Sequence, residues 1–382
     1  MKILISPTFL ITKKYLTKFF ENIIVNKLKL KKSHKIELIN GELNHYGEIT
    51  NILGKENVFF TDEIHPIYIK ELSNHYLNDT QNIKLVEAYP SNFNFDQPSY
   101  ITNKEVYNNK IFFDFAIFSI KSFEKNYELI SFLKKNKTTV VLFDKLDDLQ
   151  IYFKGNNYEI SKSYNHKYDI IFKQDIPSTN TEQNVFPIAP IPSIIHKKNY
   201  ENINKKLQTK NFYFSGDYRK NQTRKDRFDI VNFINKEFEN NVLNLTIGRK
   251  VFFSKVEQDN NLINSKINIS ASGKVWDSYR HCELANFYSP ILLPNPDCKT
   301  APGKFEDMKN CIIYETEKIE NDFILKNTKS LKEKLEFLIN NKTAREKMYQ
   351  NYFELIQNFH TRKKRASYIL YILKNYKKNN NE

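Results

Sequence analysis

The chain has 382 residues, 40% hydrophobic and 14% aromatic, with 59 Lys and Arg against 44 Asp and Glu and a net charge of +15. That apolar content excludes a disordered chain, the length implies two domains, and three irregularly spaced cysteines exclude a disulfide framework and a zinc site. The apolar runs, such as Ile111 to Ile120, fall short of the ~20 residues that cross a bilayer. With nothing like a cleaved signal at the start, the expected compartment is cytoplasmic, with at most a peripheral contact at the inner face of an anionic membrane.

The first elements are short apolar runs: Lys2 to Ser6, Lys35 to Ile39, Asp114 to Phe118, Thr139 to Phe143 and Tyr168 to Phe172. Such runs bounded by turn residues predict strands buried on both faces, as in a parallel sheet. Helical spacing over Tyr127 to Lys135 completes the βαβα rhythm of an α/β domain. Asp144, Asp147 and Asp148 follow the Thr139 strand directly. Acids there can serve an acceptor hydroxyl as general base or ligand, or form an ordinary acidic helix start.

Three prolines in Val185 to Pro192 suit neither a helix nor a central strand and mark the interdomain linker. This predicts domains 1–192 and 193–360, with a last helix over 361–376 rejoining the first. From Asn211 the rhythm restarts with strands at Asn211 to Ser215, Val242 to Ile247, Lys266 to Ser270, Pro290 to Leu293 and Cys311 to Glu315. Helices are predicted over Thr223 to Phe238 and Ser278 to Phe287, and the chain is helical after Lys329.

Of eight arginines none precedes residue 219, and five are Arg219, Arg224, Arg227, Arg249 and Arg280. A guanidinium matches phosphate or carboxylate oxygens two at a time, which lysine cannot do, so residues 212 to 290 are a candidate site for a phosphorylated ligand. The plainer alternative is helix-surface pairing with Asp226, Asp229 and Glu283. In Phe214 to Lys220, Gly216 and two cations at a strand end could cradle a pyrophosphate. There is no GxGxxG and no GKS/T loop, which argues against a nicotinamide dehydrogenase or a P-loop NTPase. The eight histidines have no metal spacing, and no bound metal is expected.

In Ser270 to Pro294, Gly273 lets the backbone approach a ligand at a strand end, and Ser278 can cap the following helix. Arg280 and Glu283, at i and i+3, share one face. As an ordinary surface pair they would be worth about 0.3–0.5 kcal/mol.

This segment, with Gly273, Asp277, Arg280 and Glu283 in pattern, resembles the GT-B glycosyltransferases, most of all the CgeB-like and exostosin-like bacterial enzymes. The Phe143-Asp144-x-x-Asp147-Asp148 run and Ile171-Phe172-Lys173 extend the resemblance. It implies two Rossmann-like domains facing across a cleft, closed by C-terminal helices. It further implies a hexosyltransferase moving a sugar from a nucleotide-activated donor to a glycan or glycolipid hydroxyl in surface polysaccharide synthesis, without metal or other cofactor, and with retention. Carried over by position, Glu283 binds donor hydroxyls, while Arg280, Arg219, Arg224 and Lys173 neutralise the leaving diphosphate. Gly216, Gly273, Asp277 and Ser278 line the donor, and Asp144 and Asp148 face the acceptor. Many retaining members carry a second glutamate upstream; here Trp276 and Asp277 stand in that neighbourhood. Asn286 and Tyr288 replace a usual small-residue turn. The rival readings are a nucleic-acid binder, a DNA-base glucosyltransferase that unites the basic surface with this fold, and an inactive scaffold.

Overall fold

A computed structural model describes residues 1–6, 40–61, 99–108, 111–119, 126–144, 153–154, 159–160, 168–174, 176–178, 180–189, 208–220, 223–247, 255–273, 276–320 and 322–379. The chain divides into two compact units, Met1–Lys145, Ser161–Phe172 and Ala366–Glu382 in one, and Leu146–Ile160 and Lys173–Arg365 in the other. The expected strand over Lys35 to Ile39 lies outside the described residues.

The first unit is built on β1 (Ile3–Ser6), β2 (Val58–Phe60), β3 (Ser99–Tyr100), β4 (Phe115–Ser119), β5 (Thr139–Asp144) and β6 (Ile170–Lys173). Their order across the seven-stranded sheet is β6-β5-β4-β1-β2-β3, with the short strand Val185–Pro187 on the outer edge of β6, and the β1/β2, β1/β4, β2/β3 and β4/β5 pairs are parallel. Every residue of β1 and β4 is buried, the reason for their continuous apolar sequence. Connecting helices include α1 (Asn40–Leu53), α2 (Asn103–Asn108) and α3 (Tyr127–Lys135), the last burying Leu129, Ile130 and Leu133. The order 3-2-1-4-5-6 is that of a doubly wound Rossmann sheet.

The second unit repeats the principle with a shorter sheet. Strands β7 (Lys210–Tyr218), β8 (Val242–Ile247), β9 (Ser265–Ile269), β10 (Ile291–Pro294) and β11 (Ile312–Tyr314) lie in the order β8-β7-β9-β10-β11, all parallel. Side chains alternate between its faces. Phe212, Phe214, Ile267, Ile269, Leu292, Ile312 and Tyr314 join one core, and Tyr213, Ile291, Leu293 and Cys311 join the other. Helix α4 (Lys225–Glu237) covers the first core with Ile230, Val231 and Ile234; α5 (Lys255–Ile263) contributes Leu262 to the second. A single turn, α6 (Arg280–Glu283), runs on as a 3-10 segment over Leu284–Phe287.

An antiparallel hairpin, β12 (Thr316–Ile319) with β13 (Asp322–Leu325), follows β11. Helix α7 (Thr328–Asn340) then places Leu331, Leu335 and Leu338 on the first core. Asn341 caps α8 (Lys342–Leu355) by accepting from the Ala344 amide at 2.9 Å. A π-turn, Ile356–His360, leads into α9 (Arg362–Asn379), whose residues from Ala366 belong to the first unit. There Tyr368 meets Phe172 edge to face, and Lys377 pairs with Asp114. The sequence put the change of domain in the proline run; the compact units part at Phe172 and Lys173, while Val185–Pro187 lies beside β6 as a seventh strand of the first sheet. No helix of the described residues is long and apolar enough to cross a membrane.

Candidate functional site

In the second unit the chain goes from β7 outward to β8 and then back across to β9 on the other side of β7. A sheet whose order reverses in this way has its binding crevice outside the carboxyl ends of the strands flanking the reversal. Those ends are Ser215 to Tyr218 on β7 and Ser270 to Gly273 after β9. The sequence read Gly216 to Tyr218 as a loop, but β7 keeps its ladder with β8 as far as Tyr218 and Ile247. Gly216 is accommodated by the ring tip of Phe214, which would lie 2.9 Å from a Cβ at 216. At Gly273 the nearest heavy atom to such a Cβ, among the described residues outside its chain neighbours, is Arg227 Nη2 at 3.9 Å.

Two arginines meet here. Arg227, from the first turn of α4, donates from Nε to Ser272 O at 2.7 Å, from Nη1 to Asp217 O at 2.9 Å and from Nη2 to Ala271 O at 3.2 Å. Arg280 donates from Nη1 to Ser215 O at 2.7 Å. Among the described residues, every side-chain hydrogen bond of this pair goes to a neutral carbonyl, although the carboxylates of Asp217 and Asp226 lie near enough to favour the charge on Arg227. Burial, and then the like charge of Arg280, pull Arg227 below the usual guanidinium value. Arg227 remains a cation at neutral pH.

Arg224, expected at the leaving diphosphate, sits among carboxylates. Its guanidinium is 4% exposed and held by Asp226 at 3.1 Å and Asp297 at 3.2 Å, with the Phe323 ring centroid 3.6 Å from Cζ. Asp226 also accepts from the Tyr314 hydroxyl at 2.9 Å. The Arg224 side chain thus ties α4 to β11 and the hairpin, and its backbone N–H donates to Gly273 O at 2.9 Å, tying it to the strand end as well. Arg219 keeps a partly exposed side chain, paired with Asp217 at 2.6 Å.

The expected helix over Ser278 to Phe287 is also corrected. Its α-helical part is one turn, and Tyr288 ends the following 3-10 turn in the left-handed region at φ 59°. Ser278 Oγ accepts the Arg280 amide at 3.3 Å. The Asp277 carbonyl receives Gln174 Nε2 at 3.4 Å, and Glu283 is half-buried. Behind them a buried frame holds the turn. His281 Nε2 donates to Trp276 O at 2.8 Å, its Nδ1 accepts from Ser270 Oγ at 2.7 Å, and Trp276 Nε1 donates to Pro294 O at 2.8 Å. Ser270 and His281 have the geometry of a nucleophile and base. With exposures of 0% and 1%, and burial holding the imidazole down at about 4, they are a support for the turn instead.

In the first unit Asp144 is the last residue of β5, 2% exposed. Asp147 and Asp148 lie outside the described residues. Lys173, the last residue of β6, is 1% exposed, and its carbonyl accepts from the Ile188 amide at 2.9 Å, just after the edge strand Val185–Pro187 of the same sheet. The bonds of Arg227 and the Trp276–His281 frame were not foreseen: backbone carbonyls, their acceptors, carry no mark in a sequence.

No family model matches the sequence, and no curated protein is similar to it. Among solved structures, HepE of Anabaena in complex with UDP matches with a TM-score of 0.53 at 9% identity, over 98% of this chain and 100% of that one. HepE in complex with UDP-glucose matches over the same shares with a TM-score of 0.52 at 7% identity. A sucrose-phosphate synthase from Thermosynechococcus elongatus matches with a TM-score of 0.48 at 8% identity, over 98% and 99%. The likeness to HepE is one of fold: two parallel α/β units with C-terminal helices, which is the GT-B glycosyltransferase architecture.

Proposed function

We propose that this chain is a glycosyltransferase that binds a nucleotide-activated sugar, with UDP as the nucleotide, at the carboxyl ends of β7 and β9. The observation that carries the reading is the Arg227 and Arg280 pair at the point of strand reversal, whose side-chain hydrogen bonds among the described residues all go to carbonyl oxygens. When the bond from the sugar's anomeric carbon to the diphosphate breaks, negative charge grows on the leaving oxygen. A fixed cation aimed there lowers the barrier without reorganising. Arg280 has that role, with Arg219 able to leave Asp217 and join it. Glu283, half-buried on the same short turn, holds donor hydroxyls, and Gly273 leaves room for the donor at the strand end.

Two guanidinium groups supply the charge that a divalent ion supplies in other transferases, so the proposal includes no metal. The acceptor is a hydroxyl of a glycan or glycolipid. The test is thermal stabilisation against UDP, GDP, CMP, ADP and dTDP. A ligand at 100 times its Kd adds about 2.7 kcal/mol to the stability of a protein that binds it only when folded. A shift with UDP that the Glu283→Ala variant loses supports the reading, and the absence of any nucleotide shift sinks it.

A further inference from the structure

The ladder between β7 and β9 pairs Lys210 with Ser265, Phe212 with Ile267 and Tyr213 with Asn268. Beyond Tyr213 the two strands part company. β7 continues to Tyr218 with β8 on its other edge, while β9 ends at Ile269 and the chain turns through Ser270 to Gly273. In a strand, carbonyls two residues apart point to the same edge. Ser215 O and Asp217 O are such a pair, and they receive Arg280 and Arg227. The two guanidinium groups therefore occupy the edge that β9 has left. Arg227 does more than fill it, because its other two bonds reach Ala271 O and Ser272 O on the departing chain.

Resting on the reading above, we propose that Arg227 is a positioning residue for the nucleotide-sugar site: it spans the gap between the ends of β7 and β9 and sets their separation, without itself touching the donor. Three of its five N–H groups are committed to carbonyls on the two sides of the gap. The planar fork is what allows one side chain to reach both sides. A lysine ammonium places all its donors on one atom and cannot span them, although it would serve equally well as a point charge for a phosphate. The distinction between a positioning role and direct contact is therefore a distinction between arginine and lysine at 227.

The experiment compares the full-length chain with Arg227→Lys, and with two core variants of the same unit, Ile234→Val and Leu335→Ala, whose losses of melting temperature bracket that of Arg227→Lys. Two quantities are measured: the Kd for UDP, and amide hydrogen exchange at Gly216 to Arg219 and Ser270 to Gly273. The proposal expects Arg227→Lys to weaken UDP by about tenfold to a hundredfold, the scale of a misplacement of about an ångström at a site. It also expects faster exchange at those two segments than in the core variants. UDP affinity kept within twofold of the core variants overturns it in favour of direct phosphate contact, and exchange no faster than theirs overturns it altogether. If the wild-type protein binds no nucleotide while exchange at the two segments still responds, the sugar-transfer reading fails and the clamp between the strands stands.

Discussion

Arg280 donates to the Ser215 carbonyl at 2.7 Å, so a side chain from the turn after β9 is braced on the end of β7. The brace fixes where the cation points before any ligand arrives. Arg280→Ala should lower kcat/KM for UDP-sugar turnover by about 10²- to 10³-fold, the usual cost of losing one preorganised group at a developing anion. Its melting temperature should change little, since one hydrogen bond to a half-buried carbonyl is worth about 1 kcal/mol. Unchanged kcat/KM would remove Arg280 from the chemistry.

The Arg224–Asp226–Tyr314 cluster should behave in the opposite way, affecting stability rather than turnover. Asp226 is fully buried, and burial lifts its carboxyl above the usual value even beside Arg224. Asp226→Ala leaves a buried guanidinium short of its closest partner and should cost about 3–5 kcal/mol in urea unfolding. Tyr314→Phe removes one donor and should cost about 1–2 kcal/mol. UDP affinity of the surviving folded protein should be nearly unaltered by Tyr314→Phe.

Stability should fall on mild acidification. His281 is held neutral by burial, down at about 4 against an ordinary 6.5. The unfolded chain therefore takes up this proton first. Its contribution is complete above pH 6.5 and is lost as pH falls toward 4, amounting to about 3 kcal/mol in all. His360, which burial pushes well below 6.5, acts in the same direction. Urea midpoints at pH 7.5 and pH 5 measure the effect, and His281→Asn should flatten the slope. Equal midpoints at the two pH values would mean that His281 is accessible to solvent.

Gly303 has φ 99°, and a Cβ there would lie 2.5 Å from Phe359 Cβ and 2.7 Å from His360 Nε2. The His360 ring meanwhile reaches Gly303 O from Nε2 at 3.0 Å. Gly303→Ala should cost about 3 kcal/mol, combining a left-handed backbone with overpacking against the π-turn. A calorimetric melting temperature close to wild type would show that the π-turn can shift aside.

The layering of this fold was written in its apolar runs. Phe115 to Ser119 and Thr139 to Asp144 had to be interior strands, because each carries four consecutive apolar residues, which a half-exposed strand would alternate with polar ones. The turn after β9 was less legible. Helical spacing continues through Asn286, but Tyr288 takes a left-handed conformation and Pro290 follows, so the helix stops after one turn and a short 3-10 run. Side-chain chemistry marked the arginines as anion ligands without saying which anion. Arg224 found Asp226 two residues away and Asp297 seventy-three away, and Arg227 found carbonyls, which every residue possesses. Only the strand order, invisible in the sequence, decides which cations are left with charge to offer.

Gly216 and Gly303 are both crowded, yet they should drift differently as the sequence diverges. The obstacle at Gly216 is the ring tip of Phe214, an atom that disappears if 214 becomes a smaller residue, so the two positions can change as a correlated pair. The nearest obstacle at Gly303 is the Cβ of residue 359, which nineteen of the twenty amino acids share. No partner substitution short of glycine relieves it. Glycine at 303 should therefore persist in any descendant that keeps the π-turn, while glycine at 216 can be exchanged in step with its neighbour.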